Sequence, residues 1–210
     1  MSVRQPWKSE RWLVVDVETT GLEVPAARVI EVGYCVVEKQ KPTAAGAVFC
    51  KPAGLTEVPS KAAACNKITM ADLADAEEFR AIAGGLAEQM TQAEVVIAYN
   101  APFDRKFIEN EFRLAGIARP RAIWLDPLLW VRNFDRGRGK ATLSAACERR
   151  NIVINDGREA HRSDYDSEQA AALVISLLPF LPDDLWELLD LEERWRREQE
   201  AVRAEGGARP

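Results

Sequence analysis

The segment Trp12-Leu-Val-Val-Asp16-Val-Glu18 carries an alternation that suits a strand and little else. Successive side chains of a strand point to opposite faces, so Leu13, Val15 and Val17 share one face while Val14, Asp16 and Glu18 share the other. A chain built around this segment needs apolar partners on both faces, and it brings two carboxylates together where the strand ends. Like charges crowded at the edge of a core raise each other's pKa and destabilise the fold unless a cation or a proton sits between them. A hard divalent ion with oxygen ligands, Mg²⁺ or Mn²⁺, meets that need. Alone, the pair also fits a strand that runs out into solvent, and the rest of the chain has to decide.

The remaining pattern is mixed. Residues 11 to 18, 28 to 38 and 44 to 51 read as three strands separated by short turns, which predicts an antiparallel meander. A loop through Pro52 and Pro59 leads to a helical stretch at about 77 to 91. Glu94 to Tyr99 then reads as a buried strand, followed at once by a helix from Pro102 to Gly116. Ala122 to Asp126 reads as a fifth strand, with helices near 127 to 133, 142 to 150 and 164 to 180. Strands first and alternating strands and helices afterwards predict an α/β fold, a mixed five-stranded sheet covered by helices.

At 210 residues and 47% hydrophobic content, the chain can bury one sizeable core. Cys35, Cys50, Cys65 and Cys147 lie far apart without a C-x-x-C pair, so neither a zinc knuckle nor a disulfide framework is expected. The first residues lack the apolar run of a signal peptide and no segment is long enough to span a bilayer, so a soluble, cytoplasmic protein is expected. A net charge of −5 argues against a broadly basic nucleic-acid surface. Bound divalent ions would offset much of it, however, and local clusters count for more than the total. One such cluster is Arg132-Asn-Phe-Asp-Arg136-Gly-Arg138-Gly-Lys140, which suits a phosphate backbone or a solvated loop.

Two further acidic sites stand beside the first. In Tyr99-Asn100-Ala-Pro102-Phe103-Asp104, the aspartate is placed to complement a helix dipole, yet that helix opens at the C-terminal end of a strand, where open sheets bind ligands. In His161-Arg-Ser163-Asp164-Tyr-Asp166, the Ser163-x-x-Asp166 spacing fits a capping box. His161 is the only histidine of the chain, and an imidazole beside carboxylates is suited to take a proton from water at neutral pH.

The ordered set Asp16/Glu18, Asp104 and His161/Asp166 resembles the three motifs of the DEDDh family of 3′-to-5′ exonucleases, whose best-known bacterial member is the proofreading epsilon subunit of DNA polymerase III. The resemblance runs from Trp12 to Val174 and includes Arg28-Val-Ile-Glu-Val-Gly33, Phe49-Cys-Lys51-Pro52 and Asp126. The five-residue step from His161 selects Asp166 over Asp164, and Arg162 excludes the tyrosine branch of the superfamily. The resemblance implies a ribonuclease H-like sheet with three antiparallel and two parallel strands. It also implies two divalent ions held by Asp16, Glu18, Asp104 and Asp166, with His161 as general base. The implied substrate contacts are Thr19, Thr20, Gly21, Leu22, Asn100 and Phe103, together with Ile68 in Asn66-Lys-Ile68-Thr69, where many relatives carry a His-Gly-Ile-Thr-like stretch.

The implied substrate is the 3′ end of single-stranded nucleic acid, with DNA favoured and nucleoside 5′-monophosphates as products; the alternatives are an RNA 3′-end trimming exonuclease and a noncatalytic subunit that binds nucleic acid or a polymerase. The expected organisation is an N-terminal arm at 1–10, an exonuclease domain at 11–180 and a C-terminal helix and tail at 181–210. Leu181, Leu185, Leu188 and Trp195 recur at helical spacing, a face equally suited to packing on the domain or to meeting a polymerase subunit or a second copy.

Overall fold

The computed structural model describes residues 6–154 and 162–206. Three antiparallel strands, β1 (Arg11–Thr19), β2 (Val29–Glu38) and β3 (Lys41–Phe49), are extended by two short strands, β4 (Val95–Ile97) and β5 (Trp124–Leu125). The order across the sheet is β3-β2-β1-β4-β5, with β4 parallel to β1 and β5 parallel to β4. The helices are α1 (Ser60–Asn66), α2 (Phe79–Gln92), α3 (Ala101–Ala115), α4 (Pro127–Phe134), α5 (Leu143–Glu148), α6 (Ser163–Leu177) and α7 (Leu185–Gly206). No helix among the described residues is long and apolar enough to cross a membrane.

The alternation of β1 divides the core as its sequence demands. Leu13, Val15 and Val17 pack with Phe79, Ala83 and Met90 of α2 and Phe107, Ile108 and Phe112 of α3. Trp12 and Val14 pack on the other face with residues of α4, α5, α6 and α7. The two acids of β1 share that second face, and so do Gly33, Cys35 and Val37 of β2, over which α6 lies. Gly33 makes this contact close: a Cβ there would sit 2.0 Å from the carbonyl carbon of Ser163.

The elements differ from the sequence reading in three places. The strand expected from residue 44 begins at Lys41, because the hairpin turns on Lys39 and Gln40, which have φ of 50° and 63°. Two consecutive positive φ values define a tight hairpin turn that Asn or Gly would have announced. The fourth and fifth strands shrink to three and two residues, since the chain leaves the ladder to feed the helices behind them. Ala98 N still reaches Leu125 O, after which Asn100 N turns to the Asp126 side chain. Finally, α1 fills part of what reads as loop.

Both chain ends join the core. Trp7 is fully buried against Trp12 and Trp130, and its indole nitrogen donates to Pro182 O at 3.1 Å. In α7, Leu185 and Leu188 are fully buried, while Glu192 accepts from Asp126 N at 3.0 Å and from Trp130 Nε1 at 2.8 Å. The inner face of this helix is therefore committed to the domain.

Candidate active site

Asp16 and Glu18 leave β1 at its C-terminal end, and Asp166 comes down on them from the first turn of α6. One carboxylate oxygen from each lies within 4.8 Å of the others. Asp104, in the first turn of α3, is buried and accepts a hydrogen bond from Val17 N at 3.0 Å, which fixes it against the same strand. Its position therefore reflects more than a complement to the helix dipole.

Four acids so close cannot all ionise cheaply in a metal-free fold. Burial, then the charges of Asp104, Asp166 and Glu18, lift Asp16 well above the usual carboxylate range. Burial and the charge of Asp166 push Glu18 up to about 8. Burial pushes Asp104 up to about 8 against the pull of the Val17 hydrogen bond. These upward shifts mean that the metal-free cluster favours protons where a cation would otherwise offset the charge. The nearest base along the chain from Asp166 is Arg162, and it is taken by Glu31. An all-oxygen donor set of this density fits a hard divalent ion.

The placement of Asp166 depends on a residue that the sequence reading passed over as part of a strand. Glu31 is fully buried on β2, facing α6, and accepts from Ser163 N at 3.0 Å and from Arg162 Nη2 at 2.8 Å. It thus caps α6 from outside the helix. The capping box expected of Ser163 and Asp166 is not formed: Ser163 N goes to Glu31, Asp166 N goes to Arg162 O, and Ser163 Oγ has no partner. Ser163 is the first residue of the helix rather than its cap. The signal available in sequence was a charged residue flanked by apolar ones in Val29-Ile-Glu31-Val-Gly33. His161 lies outside the described residues.

Beside the acids lies a cleft of about 760 Å³, lined on one side by Glu18, Thr19, Thr20, Gly21, Leu22 and Phe103 and on the other by α1 and Asn66. The loop after β1 is held by three sets of bonds. Thr20 pairs with the backbone of Arg28, whose guanidinium bridges to the buried Glu111 at 2.7 and 2.8 Å. Lys106 Nζ donates to Leu22 O at 2.8 Å. Thr19 Oγ1 donates to Gly21 O at 2.6 Å. Leu22 is left 72% exposed at the mouth, an apolar side chain with nothing of its own chain over it.

Two expected contacts lie elsewhere. Ile68 is buried with Ile30 and Leu73 and does not line the cleft, because its neighbour Asn66 turns inward in its place. Asn66 donates to Thr19 O at 3.4 Å and accepts from Ile68 N at 3.1 Å, and its amide lowers the pKa of the neighbouring Glu18. Asn100 takes a left-handed backbone, φ 76°, as it opens α3, and is not among the lining residues.

A mixed sheet of this strand order, with carboxylates converging at the end of its central strand, is a ribonuclease H-like fold. The chain belongs to the exonuclease family: the RNase T-type exonuclease model matches residues 13–174. The DNA polymerase III subunit epsilon of Rickettsia felis is 30% identical over 175 residues, covering 80% of this chain and 74% of that protein. The ribonuclease T of Haemophilus ducreyi is 29% identical over 113 residues, covering 51% of this chain and 50% of that one. Exonuclease X, solved with 5′-overhanging duplex DNA, superposes with a TM-score of 0.68 at 21% identity, over 86% of this chain and 99% of that one, and shares the fold.

Proposed function

We propose that this chain is a divalent-metal-dependent 3′-to-5′ exonuclease that releases nucleoside 5′-monophosphates from single-stranded DNA or frayed 3′ ends, with residues 11–180 as the catalytic domain. The observation that carries the reading is the meeting of Asp16, Glu18 and Asp166 within 4.8 Å, beside a cleft of nucleotide size. Two ions, Mg²⁺ or Mn²⁺, held by Asp16, Glu18, Asp104 and Asp166, would supply the positive charge that stabilises the transferring phosphoryl group and acidifies water.

The chain's own residues do the rest. Thr19 to Leu22 and Phe103 hold the terminal nucleotide, and contact with the apolar Leu22 and Phe103 tolerates any base. His161 takes the proton of the attacking water. The water oxygen bonds to phosphorus as the bond to the 3′ oxygen breaks, and that oxygen takes a proton from solvent, leaving a shortened strand with a 3′-hydroxyl and a nucleoside 5′-monophosphate. Asn66 and Glu31 keep Glu18 and Asp166 in place. The longer match to the epsilon subunit supports DNA as substrate, while the shorter match to ribonuclease T keeps RNA 3′-end trimming as the second reading. Three buried thiols and one exposed, all free, suit a reducing cytoplasm. Work as a polymerase subunit or as a homodimer would use the outer face of α7, because its inner face is covered.

Purified protein incubated with 5′-labelled DNA and RNA oligonucleotides, with Mg²⁺, Mn²⁺ or chelator, tests the reading. A metal-dependent ladder shortening from the 3′ end is expected. Internal cuts in circular single strands, or shortening from the other end, would overturn it.

A further inference from the structure

The basic run between α4 and α5 is not used by the site described above, yet it is built. Asp135, at the end of α4, is buried and accepts from Arg149 Nε at 2.9 Å and from both terminal nitrogens of Arg150 at 2.8 and 2.9 Å. Arg138 N closes a turn on Asp135 O at 2.8 Å, and Arg149 Nη1 donates to Lys140 O at 3.0 Å. At the far end, the Tyr99 hydroxyl donates to Ala141 O at 2.7 Å. Gly137 and Gly139 have φ of 78° and 106°, which other residues adopt only with strain. The Arg-Gly-Arg-Gly-Lys order therefore fits a defined loop shape, pinned at both ends.

Its cations differ from the chain's half-buried arginines. Arg28, Arg149, Arg150 and Arg162 are taken up by buried carboxylates. Arg136, Arg138 and Lys140 are exposed and have no acidic partner among the described residues. Three exposed cations without an acidic partner among the described residues, on one short loop of a chain with net charge −5, form a local positive field rather than part of a general one.

The loop also faces the right way. Val14 of β1 pairs with Ile97, the last residue of the parallel β4; Asp16 lies two residues beyond Val14, and Tyr99, two residues past the end of β4, packs against the core on the Val14 face of the sheet. The Tyr99 anchor thus ties the loop to the C-terminal end of β4, the same end of the sheet at which Asp16 and Glu18 leave the parallel β1.

We propose that Arg136, Arg138 and Lys140 hold phosphates of the substrate strand upstream of its 3′ end, as a track that feeds the strand to the carboxylates. This rests on the exonuclease reading, and it adds a length dependence that the cleft alone does not provide. Each phosphate neutralised on a single strand contributes about 0.7 to the slope of log affinity against log salt. Three contacts then make affinity for a long strand fall roughly 20-fold more between about 50 and 200 mM KCl than it would without them.

The test compares Asp16→Ala protein, which leaves the strand uncut, with the same protein carrying Arg136→Gln, Arg138→Gln and Lys140→Gln. Fluorescence anisotropy with labelled oligothymidylates of about 20 and about four nucleotides, titrated with KCl in the presence of Mn²⁺, reads the slope. A slope shallower by about 2 for the long strand, with little change for the short one, is expected. Equal slopes for the two proteins, or equal losses at both lengths, would overturn the track. Hydrolysis of the p-nitrophenyl ester of thymidine 5′-monophosphate by protein with Asp16 intact reports the carboxylate site separately. Inactivity there and on oligonucleotides refutes the nuclease reading whatever the salt slopes show.

Discussion

Two regions of this molecule bury carboxylates in opposite ways. At the end of α4, Asp135 lies between Arg149 and Arg150, and their hydrogen bonds hold its pKa below the usual range. At the end of β1, Asp16, Glu18 and Asp104 have one another and Asp166 for neighbours, and burial drives all three upward. The first arrangement is complete within the protein, because the countercharge is part of the chain. The second crowds like charges against one another, a repulsion that a bound cation relieves. An acid paired with arginine marks structure, and acids crowded against one another mark a place for a ligand.

The largest effect should come from deleting the centre of the unbalanced region. Asp16→Ala is expected to reduce nuclease activity to background while the metal-free protein melts at the same temperature or higher, since one of several crowded like charges is gone. Gel assays and thermal melts with and without Mn²⁺ check both halves. Wild-type turnover in this variant would dissolve the contrast drawn above.

Next in size is His161→Ala, for which turnover should fall by about 10²- to 10⁴-fold, the usual scale for a positioned proton acceptor, with metal affinity little changed. Near-wild-type turnover at saturating Mg²⁺ would make the histidine a bystander.

Glu31→Gln tests the latch that couples an arginine-paired acid to the cluster. The amide keeps an acceptor for Ser163 N but loses the ion pair with Arg162, so Asp166 is held less firmly. Partners that orient metal ligands are worth roughly 10- to 100-fold in metal affinity. The activation curve for Mn²⁺ should shift upward by that factor, and excess metal should restore most of the turnover. A lower melting temperature with an unmoved metal curve would confine Glu31 to stability.

The smallest and most diagnostic difference is in pH. Burial pushes Glu18 up to about 8 in the fold from a model value of 4.5, so its contribution to the stability of the metal-free fold is fully present below 4.5 and is lost as pH rises through 8. Asp104 acts in the same direction from its own model value of 3.8. Each proton released contributes a slope of up to about 1.4 kcal/mol per pH unit. Asp135 has the opposite sign: its stabilisation is present above 3.8 and is lost as pH falls through its lowered pKa. Metal should flatten the alkaline limb and leave the acid limb alone, and Asp135→Asn should do the reverse. Denaturant titrations across pH, with and without Mn²⁺, read both limbs, and an alkaline limb indifferent to metal would mean that the cluster binds none.

Much of the fold was legible because its signals are local. The period-2 pattern of Trp12 to Glu18 placed two acids on one face without knowledge of their neighbours. Pro102 and Pro127, each within the first two positions of a helix, mark the starts of α3 and α4, and Gly116 in a left-handed conformation marks the end of α3. Asp184 announces α7 by accepting from Trp186 N and Glu187 N.

What only the tertiary structure decided are the contacts between residues far apart in the chain. Ser163 reads as a cap, yet the cap is Glu31, 132 positions earlier, because α6 crosses β2 at Gly33 closely enough for a strand side chain to reach the helix end. Ile68 and Asn66 are both plausible cleft residues by pattern, and the turn at Lys67, with φ of 61°, sends one into the core and the other to Glu18. Trp7 and α7 read as an arm and a tail, and they close one face of the core together. Periodicity and capping act over a few residues, so sequence carries them directly. Which partner a buried charge or amide finds depends on how elements pack, and a single chain records that only once it has folded.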